Sequence, residues 1–284
     1  MRTRFAPSPT GPLHLGHAYS ALLAYDMARA CGGEFLLRIE DTDTARCRAD
    51  WVDLIHEDLH WLGISWSGPA MMQSAQTQRY ELAISRLGDM GLLFPCGCSR
   101  ADIRAAMSAP QEGGAPSEGV YPGTCRHRPM GARGESDALR LNITRAIGNL
   151  PRLGGFHDTG TGADVFHAGS AERLITGVGD VVLCRKDARA VSYVLASVVD
   201  DAAQNISHVI RGEDLFEITR LQVLLQNLLG LATPIYHHHR LIRDETGKRL
   251  AKRDDARAIR LYRAEGATPD DIRRMVGLGP ASRE

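Results

Sequence analysis

Ala6-Pro7-Ser8-Pro9-Thr10-Gly11-Pro12-Leu13-His14-Leu15-Gly16-His17 lies at the exit of a short strand-like segment, residues 2–6, near the start of a 284-residue chain. Its prolines fix φ and remove donors, so Pro7–Pro12 cannot be helical. From Gly16 or His17 a helix can run to Cys31, where Gly32-Gly33 stops it. Glu34–Ile39 then reads as a second strand, short and mostly apolar, as in a buried parallel sheet. Strand, loop, helix, strand is the opening of an open α/β sheet, whose ligands sit beyond the carboxyl ends of its strands.

Working outward, Asp50–Leu62 is an amphipathic helix with Trp51, Leu54, Ile55, Leu59 and Leu62 at helical spacing, and a further helix spans about Gln76 to Met90. Residues 93–135 break the alternation with three cysteines, a helix-like Ala101–Met107 and a Gly/Pro/Ser-rich loop, Ser108–Gly119. Strands at Ala138–Ile143 and Val181–Cys184, a helix at Val194–Ala203, a strand at His208–Arg211, a helix at Glu217–Leu229 and a strand-like Tyr236–Arg243 follow. Two short helices, Ala256–Ala264 and Pro269–Val276, close the chain. The expected fold is α/β: a Rossmann-type parallel sheet split by an insertion. It divides into 1–92 (first half of the nucleotide-binding domain), 93–180 (insertion), 181–243 (second half) and 244–284 (basic loop and short helical region).

Hydrophobic residues at 43% and charged residues at 24% exclude wholesale disorder and a fibrous repeat. Thirty-four basic and 34 acidic residues balance, which argues against coating nucleic acid by bulk charge but allows a local basic face. There is no apolar run near the roughly 20 residues that span a bilayer, and the first residues lack a signal peptide's apolar stretch. A cytoplasmic protein with no membrane partner is expected, its cysteines reduced.

Neither common phosphate-loop motif is present. Gly16 at a helix start would let a ligand approach the backbone, where free N–H groups favour an anion. His14 and His17, three apart, can face one side of that turn and offer donors to a polyphosphate. Far downstream lies Gly247-Lys248-Arg249-Leu250-Ala251-Lys252-Arg253, holding two of the chain's three lysines. Such a loop could close over a triphosphate and offset charge built up at phosphorus. A Pro-rich surface loop and a solvated charge run would explain either stretch singly; both in one chain favour the nucleotide. Cys96-Gly97-Cys98, with Cys125 downstream in Tyr121-Pro122-Gly123-Thr124-Cys125-Arg126-His127, offers three thiolates that could converge on one zinc ion. In Tyr236-His237-His238-His239 only His237 and His239 share a strand face, no third donor is evident, and no metal site is expected.

The first stretch with the Arg249–Arg253 loop resembles the paired signatures of class I aminoacyl-tRNA synthetases, specifically the glutamate branch. Arg38-Ile39-Glu40-Asp41-Thr42-Asp43, Trp61-Leu62-Gly63-Ile64-Ser65-Trp66, Val199-Asp200-Asp201-Ala202 and His208-Val209-Ile210-Arg211-Gly212-Glu213-Asp214 agree in order, over nearly the whole chain. Arg249 and Ala251 depart from the usual second signature, at the cost of one hydroxyl donor. The resemblance implies that His14, Gly16, His17 and Lys252 serve ATP, with Mg²⁺, and that His14, His17 and Lys252 act in catalysis. It implies that Arg4, Phe5, Ala6, Pro7, Ser8, Glu40, Tyr193 and Arg211 bind L-glutamate, Glu40 facing the amino group. This suits the chemistry, because an Arg fork holds a carboxylate and an ammonium needs an acidic partner. It also implies a structural zinc ion on Cys96, Cys98, Tyr121 and Cys125, with His127 the conventional competitor for the fourth place.

Only 31 residues follow Arg253, so no anticodon-binding domain of the usual size is expected. The short C-terminal part and the Tyr121–Arg126 segment resemble the truncated branch, the glutamyl-Q tRNA(Asp) synthetases. That branch activates glutamate with ATP without tRNA and attaches it to the queuosine base of tRNA(Asp). The alternatives are a shortened glutamate ligase charging the tRNA 3′ end and a non-catalytic RNA-binding paralogue. Residues 240–263 hold nine basic and four acidic side chains, an excess that could track an RNA backbone. A monomer is expected.

Overall fold

The computed structural model describes residues 1–43, 45–108, 120–186, 190–243 and 257–280. Strand β1 (Arg2–Phe5) pairs in parallel with β2 (Glu34–Ile39), Arg4 opposite Leu36. Their crossover is helix α1 (Leu15–Ala30), which buries Ala18, Ala21, Leu22, Ala24 and Ala28 completely. That run of alanines lets the helix lie close on the sheet, and Gly32, at φ 60°, turns the chain out of it. After α2 (Ala49–Trp61), β3 (Met71–Met72) extends the parallel sheet beside β2. Ile55 and Leu59 of α2 pack with Phe35, Leu37 and Ile39 in one core.

Beyond α3 (Thr77–Asp89) the chain builds a separate sheet. Strands β4 (Leu93–Cys96), β5 (Ala138–Leu141) and β8 (Val182–Cys184) are antiparallel in the order β4-β5-β8, with α4 (Arg100–Ser108) following β4. Between β5 and β8 lie α5 (Ile143–Gly148) and the hairpin β6 (Phe156–Asp158) and β7 (Val165–His167). Helix α6 (Tyr193–Ala203), β9 (His208–Gly212), α7 (Phe216–Leu229) and β10 (Ile235–His239) return to the parallel layer. There β10 pairs in parallel with β9 on one side and with β6 on the other. Strands β1 and β9 begin side by side, the Ser207 N–H donating to the Arg2 carbonyl at 3.0 Å. Helices α8 (Ile259–Ala264) and α9 (Pro269–Met275) dock on α1, with Ile259 and Ile272 fully buried in its core.

Two strands lie elsewhere than the sequence suggests. The sequence places the strand Val181–Cys184 in the second half of the parallel sheet, yet β8 completes the antiparallel one, and β6, inside 93–180, joins the parallel one. Strands of three residues carry too little pattern to reveal their partners. The segment Ala138–Ile143 ends as a strand at Leu141 because Asn142 caps α5, its Oδ1 accepting the Arg145 N–H at 3.0 Å. The strand-like reading to Arg243 stops at His239. Most of the expected loop, residues 109–119, lies outside the described residues. Among the described residues no helix is long and apolar enough to cross a membrane.

Candidate active site

A cavity of about 350 Å³ opens where β1, β2 and β9 end and α1 and α6 begin. Arg4, Phe5 and Ala6 line it from the exit of β1, and Glu40 from the exit of β2. His14, Gly16 and His17 contribute from α1, Tyr193 from α6, and Arg211 from β9. Pro7 and Ser8 are not among the lining residues. The Pro7 carbonyl instead accepts the Glu40 N–H at 3.0 Å, tying the two strand exits together. Lys252, with Lys248, Arg249 and Ala251, lies outside the described residues.

His14 is the N-cap of α1. Its Nδ1 accepts the Gly16 N–H at 3.1 Å, and His17 Nδ1 accepts the His14 N–H at 3.2 Å. The rings lie 3.7 Å apart, centroid to centroid. With Nδ1 accepting, a neutral ring carries its proton on Nε2. Helix capping thus sets which nitrogen of each histidine can donate. A Cβ on residue 16 would sit 3.0 Å from His14 Cε1, so glycine makes room for the capping ring.

Beneath the cavity runs a buried chain of charge. Arg4 Nε and Nη2 donate to the two Asp201 oxygens at 2.9 and 3.3 Å. Arg38, wholly buried, donates through Nη1 to Asp201 at 2.7 Å and lies 3.7 Å from Glu40. Asp200 accepts from the Tyr80 hydroxyl at 2.8 Å and from Gln73 at 2.7 Å. The paired guanidiniums hold Asp201 down at about 2 despite its burial. Burial raises Glu40 to about 7, against the pull of Arg38 and Arg4. In β9, Arg211 donates through Nη2 to Thr219 Oγ1 at 2.6 Å and through Nε to His238 Nε2 at 3.3 Å. On each of Arg4 and Arg211, Nη1 has no partner among the described residues.

At the far end of β4, Cys96, Cys98 and Cys125 bring their sulfurs within 4.8 Å of one another. The Tyr121 hydroxyl sits 3.4 Å from Cys96 Sγ and 3.7 Å from Cys98 Sγ, and it accepts the Cys125 N–H at 2.9 Å. His127 is not part of this group. Three soft donors and one oxygen around one point suit a tetrahedral zinc ion.

Residues 1–282 match the family described as tRNA synthetases class I (E and Q), catalytic domain. The chain belongs to that family. It is a ligase-type enzyme. A glutamyl-Q tRNA(Asp) synthetase of Rhodobacter capsulatus is 54% identical over 98% of this chain and 100% of its own. One from Nocardia farcinica is 41% identical over 95% and 81%. A solved glutamate-tRNA synthetase from Elizabethkingia anophelis superposes with a TM-score of 0.76 at 28% identity, and this chain spans 63% of it. The methionyl-tRNA synthetase of Mycobacterium tuberculosis, at 11% identity and a TM-score of 0.58, shares the fold.

For this class I synthetase, sequence reasoning singled out nine residues that the structure gathers around one cavity. It assigned no role to Arg38, Asp201, Asp158 or His238, whose hydrogen bonds and ion pairs lead back to Arg4, Glu40 and Arg211. One signal was available: Arg38 is a charge inside an apolar strand, and a buried charge requires partners.

Proposed function

We propose that this synthetase activates L-glutamate with ATP, without tRNA, to glutamyl-adenylate, and transfers the glutamyl group to the queuosine base of tRNA(Asp). The observation that carries the reading is the cavity itself. It joins two arginines and a carboxylate, which suit a doubly acidic amino acid, to the donor-bearing start of α1, which suits a polyphosphate. Names of relatives that match over nearly all of this chain support the acceptor.

Arg4 and Arg211 hold the carboxylates and Glu40 the ammonium. Tyr193, Phe5 and Ala6 shape the pocket, and Pro7, whose carbonyl accepts the Glu40 N–H, ties the two strand exits beside it. An oxygen of the α-carboxylate attacks the α-phosphorus of ATP, and the bond from that phosphorus to the pyrophosphate breaks. His14 and His17 donate to the phosphates from Nε2 beside Gly16, and Lys252 offsets charge on the leaving pyrophosphate. Alignment supplies most of the rate, with no covalent enzyme intermediate. Mg²⁺ travels with ATP. Cys96, Cys98, Cys125 and Tyr121 hold a zinc ion that is structural when bound. The basic stretch 240–263 supplies positive charge for the RNA backbone, and the reaction belongs in the cytoplasm with its tRNA.

Glutamate-dependent exchange of labelled pyrophosphate into ATP, in the absence of tRNA, is the expected result with zinc-loaded protein. Labelled glutamate is then mapped on tRNA. Label in the anticodon loop supports the queuosine acceptor, whereas label on the terminal adenosine supports a shortened glutamate-tRNA ligase. No exchange at all refutes activation.

A further inference from the structure

Asp158, at the end of β6, reaches His238 on the neighbouring strand β10. Its Oδ1 accepts the backbone N–H of His238 at 3.0 Å and that of Gly160 at 3.1 Å, and its Oδ2 meets His238 Nδ1 at 3.1 Å. A carboxylate only accepts, so Nδ1 carries the ring proton and Nε2 keeps its lone pair. That lone pair accepts Arg211 Nε. Thr219 Oγ1 lies 3.0 Å from the same nitrogen and accepts Arg211 Nη2. Asp158, His238 and Arg211 are each 6% exposed and Thr219 is fully buried. Tyr236 stacks on the imidazole at 5.7 Å and an interplanar angle of 4°, and Phe216 meets it edge-on at 5.1 Å, so the ring is packed between two aromatic side chains. At residue 160 a Cβ would fall 2.1 Å from the His238 carbonyl, so glycine lets this turn close on the strand.

We propose that Asp158 and His238 are positioning residues that fix the imidazole tautomer, lock two nitrogens of Arg211, and aim the third at the side-chain carboxylate of the amino-acid substrate. The inference rests on the glutamate reading above. The opposite tautomer, or the charged ring, would set an N–H of His238 against the N–H of Arg211 Nε. Burial and the adjacent guanidinium push His238 down to about 4, so the neutral ring is the working form across the physiological range.

Asp158→Asn is the decisive change because it alters one group and almost no volume. Two backbone N–H groups pin the amide oxygen, so the new NH₂ faces His238 Nδ1 and donates to it. The ring proton must then move to Nε2, where it opposes Arg211. The Km for glutamate should rise by on the order of tenfold or more, the loss of one charge-assisted contact. The Km for ATP should hold, and preference for glutamate over glutamine should fall by a similar factor. His238→Gln sets an amide oxygen where Nε2 stands and needs no tautomer, so it should stay near wild type. In that background Asp158→Asn should add little.

Wild-type glutamate Km and selectivity in Asp158→Asn would overturn the proposal, as would an equal penalty in both backgrounds. Nitrogen-15 histidine NMR reads the tautomer without any assay: Nδ1-protonated in the wild type and Nε2-protonated in Asp158→Asn. A tautomer that does not move sinks the inference. A tautomer that moves in a protein whose wild type shows no glutamate-dependent exchange sinks the function reading instead.

Discussion

In the proposed function, Glu40 meets two demands that pull its proton in opposite directions. To hold an ammonium it must be ionised, yet burial raises it to about 7, with Arg38 and Arg4 only partly compensating. Below pH 7 the free enzyme is increasingly protonated there. The Km for glutamate in pyrophosphate exchange should therefore climb by about tenfold per pH unit as pH falls from 7 to 5.5, and flatten above 7.5. Glu40→Gln should lose that dependence and bind glutamate roughly 10- to 100-fold more weakly. Stability runs the other way. A carboxyl raised in the folded state penalises folding as pH rises from the ordinary value of 4.5 through about 7. Glu40→Gln should therefore melt higher than the wild type at pH 8 and gain nothing at pH 4, as calorimetry would show. Asp201 has the reverse sign. Its lowered value means its contribution is complete above 3.8 and disappears as pH falls through about 2. Asp201→Asn leaves Arg38 and Arg4 short of their shared counter-charge in a buried site and should cost about 3–5 kcal/mol in denaturant unfolding. Arg4, Glu40 and Arg211 were legible through the family resemblance, which their places at strand exits supported. Arg38, Asp201 and His238 were not, since Arg38 and Asp201 meet across 163 residues and His238 and Asp158 across 80.

At the scale of elements, α1 couples helix stability to nucleotide binding through one side chain. His14 both caps the helix and, in the proposed function, donates to the phosphates. His14→Ala should lose about 0.5–2 kcal/mol of stability with the cap, together with exchange activity. Asn is a good cap without an imidazole, so His14→Asn should restore most of the melting temperature. Its exchange rate should stay down by on the order of a hundredfold or more, the usual cost of one donor to developing charge. Full activity in His14→Asn would show that the ring serves only the helix. The strand-loop-helix unit around this residue could be read in advance because proline bars a helix from the loop, the glycine pair ends α1 and an apolar run marks the buried strand that follows. Strands β6 and β8 could not, because sheet membership at three residues is decided by distant neighbours: Asp180 beside β8 holds the Ile143 N–H at 2.9 Å and Arg126 at 2.7 Å.

Across the whole molecule the cores are unequal. The clusters around α1 and α7 each bury long sets of aliphatic side chains, whereas among the described residues the cysteine-bearing one buries Phe94, Cys96 and Tyr121, with Cys98, Ile103 and Cys125 partly covered. So small a core does not hold a fold without a staple. If zinc is that staple, a strong chelator should release about one equivalent per chain and remove a low-temperature melting transition, leaving the main one in place. The lining of the cavity proposed to take glutamate contains none of the four proposed zinc donors. Chelated protein should therefore keep more of its glutamate-dependent exchange than of its transfer to tRNA. Tyr121→Phe removes one donor of four and should bind zinc measurably more weakly in a competition titration, while His127→Ala should match the wild type. Equal affinity in Tyr121→Phe with weakened binding in His127→Ala would move the fourth ligand to the histidine, and would require the Tyr121–His127 turn to refold around the metal.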